Sequence, residues 1–383
     1  MSDTITNLRG IAWNHTRGFV SVVATAQRFE ELNPHIRILW EKRSLQAFAD
    51  APMEKLADAY DLIVMDHPHT ALAAKAGLLL PLDEHLPSAY LDDQAENSVG
   101  ASHRSYNFNG HQWSLATDAA TPVATWREDL LRNRGIDLPA TWDDVLELAD
   151  AGHVGAALFP VDVLMNTYMF CKALGAEPFA DESSVAPTEI LESALEHLRE
   201  LARRIDPVYL ELNPIRTAER MTLTDTAAYC PFAYSYSNYS RPGYARRTLK
   251  AGGLVRLGDT ALRSTLGGAG LAVSSRTKHA EEAAAYTAFT GEPETQRGIY
   301  FTSGGQPGHR SAWLDDSVNA ASNGFFRDTL DTLDTALLRP AYPGYMHFQD
   351  NASPVAHAAL AGTTSISDAA RELQEIYRRS RAL

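Results

Sequence analysis

The first eighty residues alternate between two hydrophobic periods. Leu8 to Trp13 is an apolar run of strand length, and Phe19, Val22, Val23, Ala26, Phe29 and Leu32 then recur at helical spacing until Asn33-Pro34 closes the helix. Ile36 to Glu41 predicts a second strand, and Met53 to Ala59 a short helix. The continuous run Asp61-Leu-Ile-Val-Met-Asp66 suits a strand covered on both faces. Ala71 to Ala76 predicts a further helix that stops at Gly77. Strands and helices in strict alternation, with short connections, are the pattern of a parallel, doubly wound α/β sheet.

The rhythm changes after Tyr106. Asn109-Gly110 is a turn signal, and two short extended pieces around Trp113 to Leu115 and Val123 to Trp126 are interrupted by Pro122; the first crossing between domains is expected within this stretch, Tyr106 to Trp126. Thr141 ahead of Trp142-Asp143-Asp144 reads as a capping box for a helix to about Ala151. A strand over Val154 to Phe159, a helix from Val163 to Leu174, and a long amphipathic helix capped by Thr188 are expected next. Ala227 to Tyr239 reads as extended and aromatic, and Gly267 to Val273 as a glycine-led strand. Alanine-rich and polar helices follow, the last from Ser367 onward.

Composition narrows the function. The 383 residues suffice for two domains, and no run of about 18 apolar residues offers a membrane span. Residues 1–9 lack the basic start and apolar centre of a signal peptide. The expected location is therefore cytoplasmic as the sequence stands, or periplasmic if a signal was removed. Forty-eight acidic against 34 basic residues give a net charge of -14, which argues against nucleic acid or anionic membrane as partner. Cys171 and Cys230 form no CxxC pair and read as buried thiols.

Candidate chemistry follows from where the strands end. In open parallel sheets, ligands bind beyond the carboxyl ends of the strands. The first strand is followed by Asn14, His15, Thr16 and Arg17, the second by Lys42 and Arg43, and the third by Asp66, His67 and His69. An anion near Gly18 would meet a helix N-terminus together with the Arg17 guanidinium, and a polyol fits the same groups. The plainer alternative pairs Arg17 and Arg43 with Glu41 and Asp66 to hold the loops. His67 and His69 form an HxH pair without further ligands at later strand ends, so no metal is expected. Tyr234 and Tyr236 share one face of the extended aromatic segment, with Tyr239 at the turn after it, and such rings suit sugar faces or core packing equally. The glycines Gly267, Gly268 and Gly270 precede a strand, unlike a dinucleotide fingerprint, and P-loop and GxSxG motifs are absent, so no cofactor is expected.

Several segments in this order resemble the extracellular solute-binding proteins of ABC importers, in the group with many sugar-binding members. They are Phe29-Glu-Glu-Leu-Asn-Pro-His-Ile-Arg37, Tyr60-Asp-Leu-Ile-Val-Met-Asp66, Ala76-Gly-Leu-Leu-Leu-Pro-Leu-Asp83, Trp113-Ser-Leu-Ala-Thr-Asp118, Gly267-Gly-Ala-Gly-Leu-Ala-Val273 and Gly304-Gly-Gln-Pro307. The resemblance implies a two-lobed periplasmic-binding-protein-like α/β fold of type II. Each lobe would be a doubly wound sheet, with the ligand cleft between the lobes and a hinge that closes on the solute. Residues 1–112 with 258–310 would form one lobe and 113–257 with 311–383 the other. By matching position, His15, Arg17, Arg43, Asp66 and His67 would line one face of the cleft, with Asp118 near the crossing. Tyr234, Tyr236, Tyr239 and the Gly267-Gly268 turn would close it. The implied function is capture of a small polar solute, a sugar, sugar acid or carboxylate, with the importer's membrane subunits as partners. The first loop is richer in ionisable groups than a usual sugar site. That richness also fits a cytosolic enzyme of the same fold, with His15 or His67 as acid and base and Arg17 and Arg43 as an anion clamp.

Overall fold

Eight strands of three residues or more alternate with helices across residues 5–44 and 52–383, the part of the chain that the computed structural model describes. They are β1 (Thr6–Trp13), β2 (Ile36–Arg43), β3 (Leu62–Met65), β4 (Leu115–Ala120), β5 (Pro122–Trp126), β6 (Tyr229–Tyr234), β7 (Lys250–Gly252) and β8 (Gly267–Val273). The chain divides into two compact units, Met1–Ala120 with Gly267–Asn319 and Thr121–Leu266 with Ala320–Leu383. The divisions fall later than the expected ones because β4 pairs with β8, which keeps both strands in the first unit.

The first unit is built on a five-stranded sheet in the order β2-β1-β3-β8-β4. β1 runs parallel to β2 and β3, from Thr6 beside Ile36 to Trp13 beside Arg43, as the alternating pattern predicts. β8 and β4 are antiparallel additions, so the sheet is mixed. Period-two alternation sorts the core: Leu8, Ala12, Leu62, Val64, Leu271 and Val273 join the helix Ser21–Leu32 on one face, while Ile11, Ile63, Met65 and Ala272 meet Leu56 and Ala73 on the other. All four residues of β3 are buried, as a strand covered on both faces requires. Asn109 and Gly110 both take positive φ in a tight hairpin.

The second unit has a smaller sheet, β6-β5-β7, antiparallel throughout rather than doubly wound, and long helices dominate its core. Trp142 lies against Phe170 and Phe232, with ring centroids 4.8 and 6.0 Å away. The capping box forms: Asp144 N–H donates to Thr141 Oγ1 at 3.2 Å, and Thr141 N–H to Asp144 Oδ2 at 2.8 Å. Two expectations fail here. The segment Val154 to Phe159 is no strand; only Val154 bridges to Tyr229, and the helix starts at Pro160, where the missing N–H costs nothing. A short buried apolar run has no period that separates strand from irregular chain. Thr188 is the first helical residue of Thr188–Ala202, not its cap, because Pro187 occupies the capping position.

Candidate functional site

The register of the first unit's sheet gathers the predicted residues at one edge. β1, β2 and β3 end there at Trp13, Arg43 and Met65, which deliver His15 and Arg17, Arg43 itself, and Asp66 with His67. β8 runs the other way, so its first residues, Gly267 and Gly268, reach the same edge beyond the Gly270–Met65 pair. β4 pairs Asp118 with Ala269 and Ala119 with Gly268, which adds the Asp118 carboxylate. Gly268 has φ +100 and lies so close to β4 that a Cβ would sit 2.4 Å from the Asp118 carbonyl oxygen.

The dominant contact is an ion pair absent from the sequence-based expectation. Arg17 Nε donates to Asp118 Oδ2 at 2.7 Å and Nη2 to Oδ1 at 2.5 Å, with both residues almost wholly buried. Burial pushes the Asp118 carboxyl up, while the Arg17 guanidinium and the Ala269 N–H pull it back toward the charged form. Arg17 is therefore matched in charge by Asp118, and its fork is already engaged there. Glu41 instead accepts from Arg9 and from the Tyr60 hydroxyl.

His15 opens the helix. Its Nδ1 accepts the Arg17 N–H at 3.0 Å, a capping contact ahead of the wide turn Thr16–Val20 that leads into Ser21–Leu32. Burial and the Arg17 charge lower its pKa to about 4, so the ring is neutral near pH 7. Gly18 admits the Trp13 ring, which a Cβ would meet at 2.3 Å. Arg43 is half-buried, and burial lowers its pKa to about 10, so it stays cationic. His67 is buried; its N–H donates to Asp66 Oδ1 at 2.9 Å, and its ring stands edge-on to Tyr106. Among the described residues no three His, Cys, Asp or Glu side chains gather to hold a metal ion.

In the second unit, Tyr234, Tyr236 and Tyr239 line one recess together with Thr217, Leu249 and Phe325. β6 ends at Tyr234, and Tyr239 sits in the turn Ser237–Ser240 that follows, so the aromatic segment bends rather than continuing extended. The Tyr234 hydroxyl donates to the Thr265 carbonyl at 3.0 Å, whereas Tyr239 packs edge-on against Tyr244 within the core. Sequence reasoning passed over Asp162, a buried carboxyl in the first turn of Pro160–Ala173. Its signal was present: proline followed by an acidic residue marks a helix start.

Residues 24–325 match the bacterial extracellular solute-binding protein family. The chain belongs to that family. Solved structures agree in fold. Maltose-bound MalE3 of T. maritima superposes with a TM-score of 0.83 at 17% identity, covering 98% of this chain and 99% of that one. A solute-binding protein of Agrobacterium radiobacter K84 in complex with ribitol gives 0.84 at 17% identity, covering 98% and 99%. One from Thermotoga lettingae TMO bound to alpha-D-tagatose gives 0.84 at 16% identity, covering 98% and 100%. This solute-binding chain thus has the two-lobed α/β architecture that the resemblance implied. The family match and these structures give the enzyme alternative no support. Among the described residues no helix is long and apolar enough to cross a membrane.

Proposed function

We propose that this chain captures a small, neutral, polyhydroxylated solute, a sugar or sugar alcohol, and hands it to the membrane subunits of an ABC-type importer. The observation that carries the reading is the Arg17–Asp118 pair, which removes the strongest candidate for a carboxylate or phosphate partner. His15, Arg43, Asp66 and His67 stand at the same edge, and polar groups of these kinds suit hydroxyls. Gly267 and Gly268, which are the first residues of β8 and not the expected turn, bring backbone without side chains to the same edge. In the second unit, Tyr234, Tyr236 and Tyr239 offer ring faces of the kind that pack on sugars. Maltose, ribitol and tagatose in the similar structures point the same way.

Thermal-shift screening tests this, followed by titration calorimetry of every hit. A ligand at a hundred times its Kd stabilises by about 2.7 kcal/mol, enough for a clear rise in melting temperature. Sugars and sugar alcohols should raise it, and simple carboxylates and phosphates should not. A panel in which only carboxylates bind would overturn the reading. Mass spectrometry of solute retained through purification supplies the identity.

A further inference from the structure

In the first unit the segment Gln306-Pro-Gly308 runs antiparallel along β4. Pro307 stands opposite Asp118, with the Ala119 N–H donating to the Gln306 carbonyl at 3.2 Å on one side and the Gly308 N–H to the Thr117 carbonyl at 3.1 Å on the other. The middle residue of such a pair turns its own N–H away from the partner strand, so a proline costs the ladder nothing there and offers no donor to a further strand. The Pro307 carbonyl is taken too, because it accepts the Trp313 indole N–H at 2.7 Å.

Gln306 adds a side-chain bond to this ladder. It is 1% exposed, and its Nε2 donates to the Ala119 carbonyl at 2.8 Å, the bond that a backbone N–H makes in a regular antiparallel pair. One residue thus holds Ala119 through both its N–H and its carbonyl. Asp118, the residue before it, gives its carboxylate to the Arg17 fork and to the Ala269 N–H. A two-pronged pair tolerates little error in the place or plane of the carboxylate, so the strand that carries it has to be fixed. The same pair ties the loop of His15, whose Nδ1 accepts the Arg17 N–H, to the strand against which Gly268 lies. We propose that Gln306 is a positioning residue of the binding edge. By fixing Ala119 it holds the Asp118 carboxylate where Arg17 meets it, and through that pair it keeps the spacing of the groups that receive the solute. The inference rests on the proposed function and adds to it a residue that acts through Asp118.

The test sets Gln306→Met beside a control of the same chemistry. In the second unit Gln374 makes a similar clamp, its Oε1 accepting the Val185 N–H at 2.8 Å and its Nε2 donating to the Ala186 carbonyl at 2.5 Å, away from every candidate site residue in the chain. Methionine keeps the length of either side chain and removes the amide. Gln306→Met should weaken binding of the tightest sugar or sugar alcohol of the screen, maltose, ribitol and tagatose included, by roughly tenfold, the usual loss with one buried hydrogen bond. It should also shift or broaden the Arg17 Nε–H signal in the proton–nitrogen correlation spectrum of the ligand-free protein. Gln374→Met should lower the melting temperature but leave affinity within about twofold and the Arg17 signal in place, as expected of a distant site. Unchanged affinity in Gln306→Met overturns the proposal. So does an unmoved Arg17 signal, which would mean that the effect does not run through Asp118, or an equal loss of affinity in Gln374→Met, which would mark general loosening. If Gln306→Met does not fold, Gln306→Asn, whose amide falls one carbon short of the Ala119 carbonyl, is read by the same measures. A wild type that binds no hydroxylated solute overturns the proposed function instead, and the Arg17 signal, read without ligand, still decides whether Gln306 positions the pair.

Discussion

Arg17 and Asp118, 101 positions apart in the chain, close on each other as a two-pronged ion pair inside the first unit. Such a pair fixes the start of one helix against a strand of the same sheet, so its two halves are unequal to remove and to replace. Arg17→Ala leaves a buried carboxylate without its counter-charge and should cost about 3–5 kcal/mol in urea unfolding. The double substitution Arg17→Met with Asp118→Leu should recover most of that, because two apolar chains leave no charge to desolvate. If Arg17→Ala costs less than about 1 kcal/mol, the range for an exposed pair, the guanidinium does not carry this contact.

His15 gives stability an acid dependence whose sign follows from its environment. The folded ring has a pKa of about 4 against an ordinary 6.5, so the unfolded chain takes up the proton first as pH falls. The contribution is fully present above about pH 6.5 and is lost as pH falls toward 4. Protonating Nδ1 also removes the acceptor for the Arg17 N–H. His15→Asn keeps a capping side chain that does not titrate. Its melting temperature should gain on the wild type as pH falls from 6.5 to 4.5, and parallel curves over that window would refute the assignment.

These pairs show what was legible in the sequence. Strand ends announced His15, Arg17, Arg43, Asp66 and His67, because parallel strands deliver their following residues to one edge. Asp118 came from a family resemblance, and nothing in the spacing paired it with Arg17, since the contact depends on β8 and β4 entering antiparallel. The second unit was harder to read. Its three short strands lack the repeated helix alternation that made the first unit plain, and Val154 to Phe159 carried strand-like apolarity without a partner strand along its length. Asp162 was hidden for the same reason, since the false strand pushed the expected helix start past it.

Two glycines set the spacing at the shared edge. At Gly18 a methyl group would press into the Trp13 ring, and at Gly268 it would meet the Asp118 carbonyl in a backbone conformation that side chains rarely adopt. Gly18→Ala should destabilise by about 1–3 kcal/mol through overpacking. Gly268→Ala should cost more than Gly18→Ala, because a ring can turn aside and a strand carbonyl in a sheet cannot. The ranking is measured by urea midpoints at constant m-value, and the reverse order would refute it.

Thr217 is a buried hydroxyl in a setting that no ionisation complicates. It lies on the helix Pro214–Leu223, is 1% exposed, and turns toward the recess shared by Tyr234, Tyr236 and Tyr239. Its Oγ1 is buried and has no hydrogen-bond partner among the described residues. Thr217→Val keeps the shape and deletes the hydroxyl, so the unfolded chain alone loses hydration of that group. If the recess is dry, the substitution should stabilise by up to about 1 kcal/mol, since an unmet polar group costs that much or more. If an ordered water or a ligand hydroxyl occupies it, the same substitution should destabilise by a similar amount or weaken sugar binding. Unfolding curves of the ligand-free protein separate the first case from the second, and titration with the bound sugar separates water from ligand.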